Sequence, residues 1–136
     1  MIAVPGNHEF YPVNVMEFDD DNDVVLNKIG DEWHDWLTPE AAEMFKTKGY
    51  YVMPFEHPKI KNVKVIGLNT QACNNMNWHI WHTLRDPQDH IKWLEEELRI
   101  AEANEQKVLI LGHIPTNDED CLDDFAQRFK ALSERY

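Results

Sequence analysis

The chain has 136 residues, 43% of them hydrophobic and five of them tryptophan, which suits one packed globular domain and excludes a disordered chain. Thirteen basic against twenty-five acidic residues give a formal net charge of −12, which argues against nonspecific nucleic-acid binding and against a broad surface for anionic lipid. No stretch approaches the roughly eighteen apolar residues of a transmembrane helix, and neither a secretory signal before the first element nor an Asn-x-Ser/Thr sequon is found.

In chain order, Ile2–Pro5 is a short apolar run expected as a strand, leading into Gly6-Asn7-His8-Glu9. That puts an amide oxygen and an imidazole side by side at a strand end, where α/β sheets place their chemistry. Taken alone, the same four residues equally describe a turn, with His8 capping or packing there. The run Asp19-Asp20-Asp21-Asn22-Asp23 has Asp at alternate positions, as a calcium loop does. Val24 stands where that loop needs glycine and Gly30 where it needs glutamate, so a solvated loop is expected. Val24, Val25, Ile29, Trp33, Trp36 and Leu37 then form a rough helical stripe, read as a core face.

Thr38-Pro39 has the form of an N-cap with proline at the first helical position, opening a short helix through about Thr47 that stops at Gly49. Tyr50–Met53 is expected as a strand closed by Pro54, and Val63–Leu68 as another that runs into Asn69-Thr70. His79 and His82 stand three apart but lack a third ligand and read as packing or surface residues; His34, His57 and His90 are isolated and carry no assigned role. Asp86-Pro87 caps a longer helix with Ile91, Leu94, Leu98 and Ala101 on one face and Glu95 spaced to pair with Arg99.

That helix feeds Lys107–Leu111, an apolar run expected as a buried strand and followed by Gly112-His113-Ile114-Pro115. Phe125, Phe129 and Leu132 mark a last amphipathic helix ending at Tyr136. With the strands parallel in one sheet, Asn7, Asn69 and His113 would emerge along the same edge, as a metal or phosphate site requires. The aromatics Trp36, Tyr50, Tyr51, Trp78 and Trp81 are expected mainly in the core, with Trp78 set apart because it follows the Cys73-to-Asn77 segment. Two cysteines by themselves leave free and paired thiols open.

Gly6-Asn7-His8-Glu9 followed by Pro12-Val13-Asn14, Gly67-Leu68-Asn69-Thr70, Cys73 followed by Asn77, Asp86-Pro87, Trp93-Leu94, and Gly112-His113-Ile114-Pro115 with Cys121 behind it form one ordered set. Together they resemble the calcineurin-like metallophosphoesterases, and within them the acid sphingomyelinase-like phosphodiesterases. The likeness extends over nearly the whole chain.

The resemblance implies an α/β fold, with residues 1–136 as part of the layered metallophosphoesterase sandwich, covering the middle and later part of a catalytic domain. It implies zinc, with Asn7 and His113 as ligands of one ion of a two-zinc centre, and His8 as a non-ligand that protonates the leaving oxygen. The physical requirement is consistent: cations neutralise the phosphoryl oxygens while an imidazole supplies a proton to the departing alkoxide. The implied reaction is hydrolysis of a phosphodiester, in particular a phospholipid headgroup ester, with Asn14 positioning phosphate or simply turning the chain and Trp78 beside the headgroup. Glu9 is read either as an acceptor orienting its neighbour histidine or as a plain surface carboxylate.

The family's Asp-x-His and Gly-Asp segments upstream and its Gly-His-x-His segment downstream have no counterpart in these residues. A catalytic zinc wants about three protein ligands, so the two matched ligands leave the chain by itself expected to be inactive. Cys73 and Cys121 match a family disulfide, which implies a secreted or lysosomal protein and a stabilisation on the order of 4 kcal/mol by chain entropy. Two alternatives stand beside this reading: a truncated, non-catalytic relative acting as a binding or structural module, and a phosphomonoesterase of the purple acid phosphatase kind. Pro12-Val13-Asn14 and the cysteine pair argue against the latter.

Overall fold

Three strands form one mixed sheet in the order β1-β2-β3 in the computed structural model, which describes residues 1–18, 23–81 and 85–136. Asp19, Asp20, Asp21 and Asn22 of the acidic run, and the histidine His82, lie outside the described residues. Strand β1 (Tyr51–Pro54) runs antiparallel to β2 (Val63–Gly67), with Tyr51 opposite Gly67. Strand β3 (Lys107–Leu111) runs parallel to β2, with Val63 opposite Lys107 and Gly67 opposite Leu111. The connections explain the difference. The short 55–62 link can only return the chain antiparallel, whereas the path from β2 to β3 carries a helix and so permits a parallel crossover.

Helices cover both faces. On one face α1 (Val24–Glu32) and α2 (Pro39–Lys48) pack over β1, gathering Leu26, Ala41, Phe45, Tyr51, Met53 and Val65 into the larger core. On the other, α3 (His90–Ala103) brings Leu94 and Leu98 against Ile66 and Leu68, joined by Val52, Val108 and Ile110. The alternation along β2 and β3 thus sends successive side chains to opposite layers. Lys64 points to the α3 layer, where its ammonium meets Glu97 at 2.9 Å, a largely buried pair. Helix α4 (Asp123–Arg135) closes the chain, its Phe125, Phe129 and Leu132 turned inward.

Local signals set the helix ends. The Thr38 hydroxyl accepts from Ala41 N at 3.2 Å, Pro39 opens α2, and Gly49 ends it with φ 74°, the left-handed conformation that glycine adopts without strain. The Asp86 carboxylate accepts from the backbone of Ile91 and Lys92 at 2.8 and 3.1 Å, so it caps α3 across the short 3-10 turn Pro87–Asp89.

Four expectations need correction. Ile2–Pro5 joins no strand among the described residues; the Ala3 carbonyl is taken by the Tyr51 hydroxyl at 2.7 Å, and Ile2 packs sideways against the larger core. Strand β3 is an edge strand, not a buried one: its outer side has no partner among the described residues, and Leu109, level with Val65 on the α1–α2 side of the sheet, is 43% exposed. The stripe from Val24 to Leu37 is broken because α1 ends at Glu32; Val24 is exposed, and Leu26 is the residue it buries most fully. On α3 it is Glu96, not Glu95, that holds Arg99, at 2.6 Å.

Candidate active site

Because β2 and β3 are parallel, the segments that follow them leave the sheet at the same edge. Gly112-His113 follows β3 there, and the 6–14 loop comes to the same place without a strand to carry it. His113 Nε2 lies 2.9 Å from Asn7 Oδ1, a hydrogen bond between residues 106 apart in sequence. Two donors each about 2.0–2.1 Å from a zinc ion lie about 2.8–3.4 Å apart for angles between square and tetrahedral. The Asn7–His113 spacing therefore fits two neighbouring positions on one cation, and an amide oxygen with an imidazole nitrogen is a donor set that zinc accepts. No cluster of three or more His, Cys, Asp or Glu side chains suited to a metal ion occurs among the described residues.

The 6–14 loop is built to present that oxygen. Asn14 N donates to Asn7 O at 3.0 Å and Val15 N to Pro12 O at 3.0 Å, closing the loop on itself, and the buried Phe10 anchors it to the core. Asn14 sits at φ 68°, a left-handed conformation that asparagine tolerates better than most residues. Its Oδ1 accepts from Asn7 Nδ2 at 2.8 Å and from Asn74 Nδ2 at 3.2 Å. With the amino end of the Asn7 amide so occupied, the carbonyl end faces His113. Asn74 also donates to Gln71 Oε1 at 2.8 Å. Gly6 permits the close approach: a Cβ there would stand 2.7 Å from Glu9 Oε2 and 3.2 Å from His113 Cε1.

A cleft of about 150 Å³ opens at this edge, lined by Asn7, Asn14, Asn74, Met76, His113, Ile114, Pro115, Asp118 and Asp120. A larger cleft, about 630 Å³, lies at the opposite end of β2 and β3, around Phe55, His57, Ile60 and Asn62, and gathers none of the motif residues. Of the residues singled out by sequence, Asn7, Asn14 and His113 meet in the small cleft. His8 is exposed and forms no hydrogen bond or ion pair with the described residues. Trp78 is 52% exposed and is not among the residues lining the cleft.

Asn69 reaches the edge but turns inward: its Oδ1 accepts from Gln71 N at 3.2 Å, and its own backbone N–H donates to His90 Nε2 at 3.1 Å. The Glu9 carboxylate accepts from Gly6 N at 2.5 Å, so it ties the turn and does not bear on His8. Tyr50 and Tyr51 are core residues, whereas Trp81 stands exposed, so the aromatics form no single cluster.

Cys73 and Cys121 form a disulfide across 48 residues of sequence, next to an antiparallel bridge between Asn74 and Cys121. Sequence reasoning assigned no role to Thr70, Asn74, Asp118 or Asp120. Thr70 stands at the end of the matched run Gly67-Leu68-Asn69-Thr70 and Asn74 directly follows a matched cysteine; nothing local marks Asp118 or Asp120. His90 is wholly buried, and that burial pushes its imidazole down to about 3, so the ring is neutral, accepting at Nε2 from Asn69 and facing the Pro87 carbonyl with Nδ1 at 3.2 Å.

The sequence pattern of the family described as calcineurin-like phosphoesterase matches residues 1–132. Sphingomyelin phosphodiesterase B of Dictyostelium discoideum is 30% identical over 132 residues, covering 96% of this chain and 20% of that protein. Sphingomyelin phosphodiesterase 2 of Caenorhabditis elegans is 33% identical over 138 residues, covering 96% and 22%. The human sphingomyelin phosphodiesterase is 29% identical over 136 residues, covering 96% and 21%. The chain spans about a fifth of the length of these relatives.

Proposed function

The chain belongs to the calcineurin-like phosphoesterase family, and from that premise we propose that it forms part of the catalytic domain of a zinc-dependent phosphodiesterase acting on phospholipid headgroup esters such as sphingomyelin. The observation that carries the proposal is the contact of His113 Nε2 with Asn7 Oδ1 at 2.9 Å, two zinc-type donors brought together from the two ends of the chain. In this reading Asn7 and His113 hold one zinc, and the remaining ligands come from segments outside these 136 residues. The open edge of β3 and the exposed Leu109 suit a sheet that continues into further structure.

Zinc, when bound, supplies Lewis-acid stabilisation of the charge that develops on the phosphoryl oxygens. His8, exposed and beside the Asn7 donor, holds the proton that the leaving alkoxide needs. Asn14 shapes the site by fixing the Asn7 amide and lines the cleft in which a phosphate would sit. A secreted or lysosomal location belongs to the same reading, supported by the Cys73–Cys121 disulfide, which persists in oxidising compartments.

The test is hydrolysis by the full native protein of sphingomyelin and bis(p-nitrophenyl) phosphate against the monoester p-nitrophenyl phosphate, with bound zinc quantified. The expected result is diester cleavage abolished by a chelator, and a loss in kcat of about 10²- to 10⁴-fold on His8→Gln. Preference for the monoester would favour the purple acid phosphatase kind of activity. Absence of both zinc and hydrolysis would make the chain part of a non-catalytic relative.

A further inference from the structure

We infer that Thr70 is a positioning residue for His113, setting the place of the imidazole before any cation binds; the inference rests on the reading of His113 as a metal ligand. Thr70 opens the 3-10 turn Thr70–Cys73 just past β2, and its side chain is buried. Its Oγ1 accepts two successive backbone amides of the neighbouring loop, from His113 N at 3.0 Å and from Ile114 N at 2.7 Å. The sheet itself supplies nothing beyond this point, because the ladder between β2 and β3 ends with Leu68 N donating to Leu111 O at 2.8 Å. One hydroxyl oxygen therefore takes over where the strand pairing stops, and it satisfies two N–H groups that would be costly to leave unpaired at Ile114, which is buried.

The loop is seated tightly as well as bonded. A Cβ on Gly112 would lie 2.7 Å from Thr70 Cγ2, so the backbone passes directly over the threonine methyl. Thr70 is in turn held from behind: Cys73, in the same 3-10 turn, is crosslinked to Cys121, and Asn74 is bridged to Cys121. Both the turn that supplies the hydroxyl and the loop that carries His113 are thus fixed relative to each other. His113 itself is exposed, with Asn7 Oδ1 as the hydrogen-bond partner of its ring, so the position of its backbone decides where Nε2 stands. Groups that orient a metal ligand change affinity by about 10- to 100-fold when removed.

The experiment measures zinc affinity of the full native protein by chelator competition for wild type, Thr70→Val, Thr70→Ser and His113→Ala. Valine keeps the shape and removes the acceptor, whereas serine keeps the acceptor. The expected result is an affinity about tenfold or more weaker in Thr70→Val, recovery to within about threefold of wild type in Thr70→Ser, and a larger loss in His113→Ala. Equal affinity of Thr70→Val and wild type, with His113→Ala weakened, overturns the positioning role alone. Unchanged affinity in His113→Ala overturns the ligand reading beneath it. A second measurement needs no variant: hydrogen exchange of the His113 and Ile114 amides in the chelator-stripped wild-type protein. Both amides are expected to stay protected without metal, and exchange at unprotected rates would show that the hydroxyl does not preset the loop.

Discussion

Around Phe45 the chain buries carbon; around Asn74 it buries amides. The α1–α2–β1 side packs Leu26, Ala41, Phe45, Tyr51 and Val65 almost free of solvent, with Trp33 and Tyr51 set against Phe45 at ring separations of 4.9 and 6.3 Å. At the site edge, Asn69, Thr70, Gln71, Asn74 and Asn77 are all 1% exposed or less, and their polar atoms are bonded to backbone, to one another, to Asn14 or to the Met16 sulfur, apart from Gln71 Nε2. Apolar packing is non-directional and supplies stability, whereas buried hydrogen bonds have fixed geometry and specify where a loop must lie. One end of the molecule therefore sets whether the chain folds, and the other sets where Asn7 and His113 stand.

Four perturbations break or sharpen that contrast. Phe45→Ala should cost about 3–5 kcal/mol of stability by opening a cavity, read from urea denaturation followed by tryptophan fluorescence, while zinc affinity of the folded protein stays near wild type. A parallel fall in zinc affinity would mean the two ends are not separable. Replacing Cys73 and Cys121 by serine should cost about 2–4 kcal/mol and, unlike Phe45→Ala, should also weaken zinc, because the crosslink backs the Thr70 turn.

The third perturbation is acid. His90 belongs to the polar end, and burial pushes its pKa down to about 3 from the ordinary 6.5. The unfolded chain therefore takes up a proton near pH 6.5 that the folded chain refuses. The contribution of the neutral ring is complete above about pH 6.5 and is lost as pH falls toward 3, with a slope of at most about 1.4 kcal/mol per pH unit. His90→Gln should flatten that part of the stability profile, measured by urea midpoints between pH 7 and pH 4, and an unchanged slope would assign the acid sensitivity to other groups. The smallest effect expected is Thr38→Ala, about 1 kcal/mol from the lost cap of α2, with no change at the site edge.

Much of the scaffold was legible residue by residue. Thr38-Pro39 and Gly49 mark α2, Asp86 marks the entry to α3, and the apolar face Ile91, Leu94, Leu98 and Ala101 is the face α3 buries. Other readings failed for a common reason. An apolar run such as Ile2–Pro5 or Lys107–Leu111 states that side chains prefer to leave water, but not whether a strand, an edge or a packed extended segment will accommodate them. The candidate site divided in the same way. Asn7, Asn14 and His113 stand in recognisable motifs and do meet in the cleft. Thr70, though it ends a matched run, and Asn74, which hold them there, were given no role, because a threonine or asparagine near a turn has many local uses.

The sequence by itself determined the caps of α2 and α3 and the inward face of α3, since each rests on contacts within a few positions or on a pattern repeated along the chain, whereas the cysteine pair and the motif residues were legible only through the family resemblance. Only the tertiary structure decided that β2 and β3 run parallel to one edge, that the Thr70 hydroxyl grips the His113 backbone 43 residues away, and that Asn7 meets His113 across 106. Those contacts form only after the sheet has registered its strands, and a hydrogen bond of fixed length is decided by where packing places both partners.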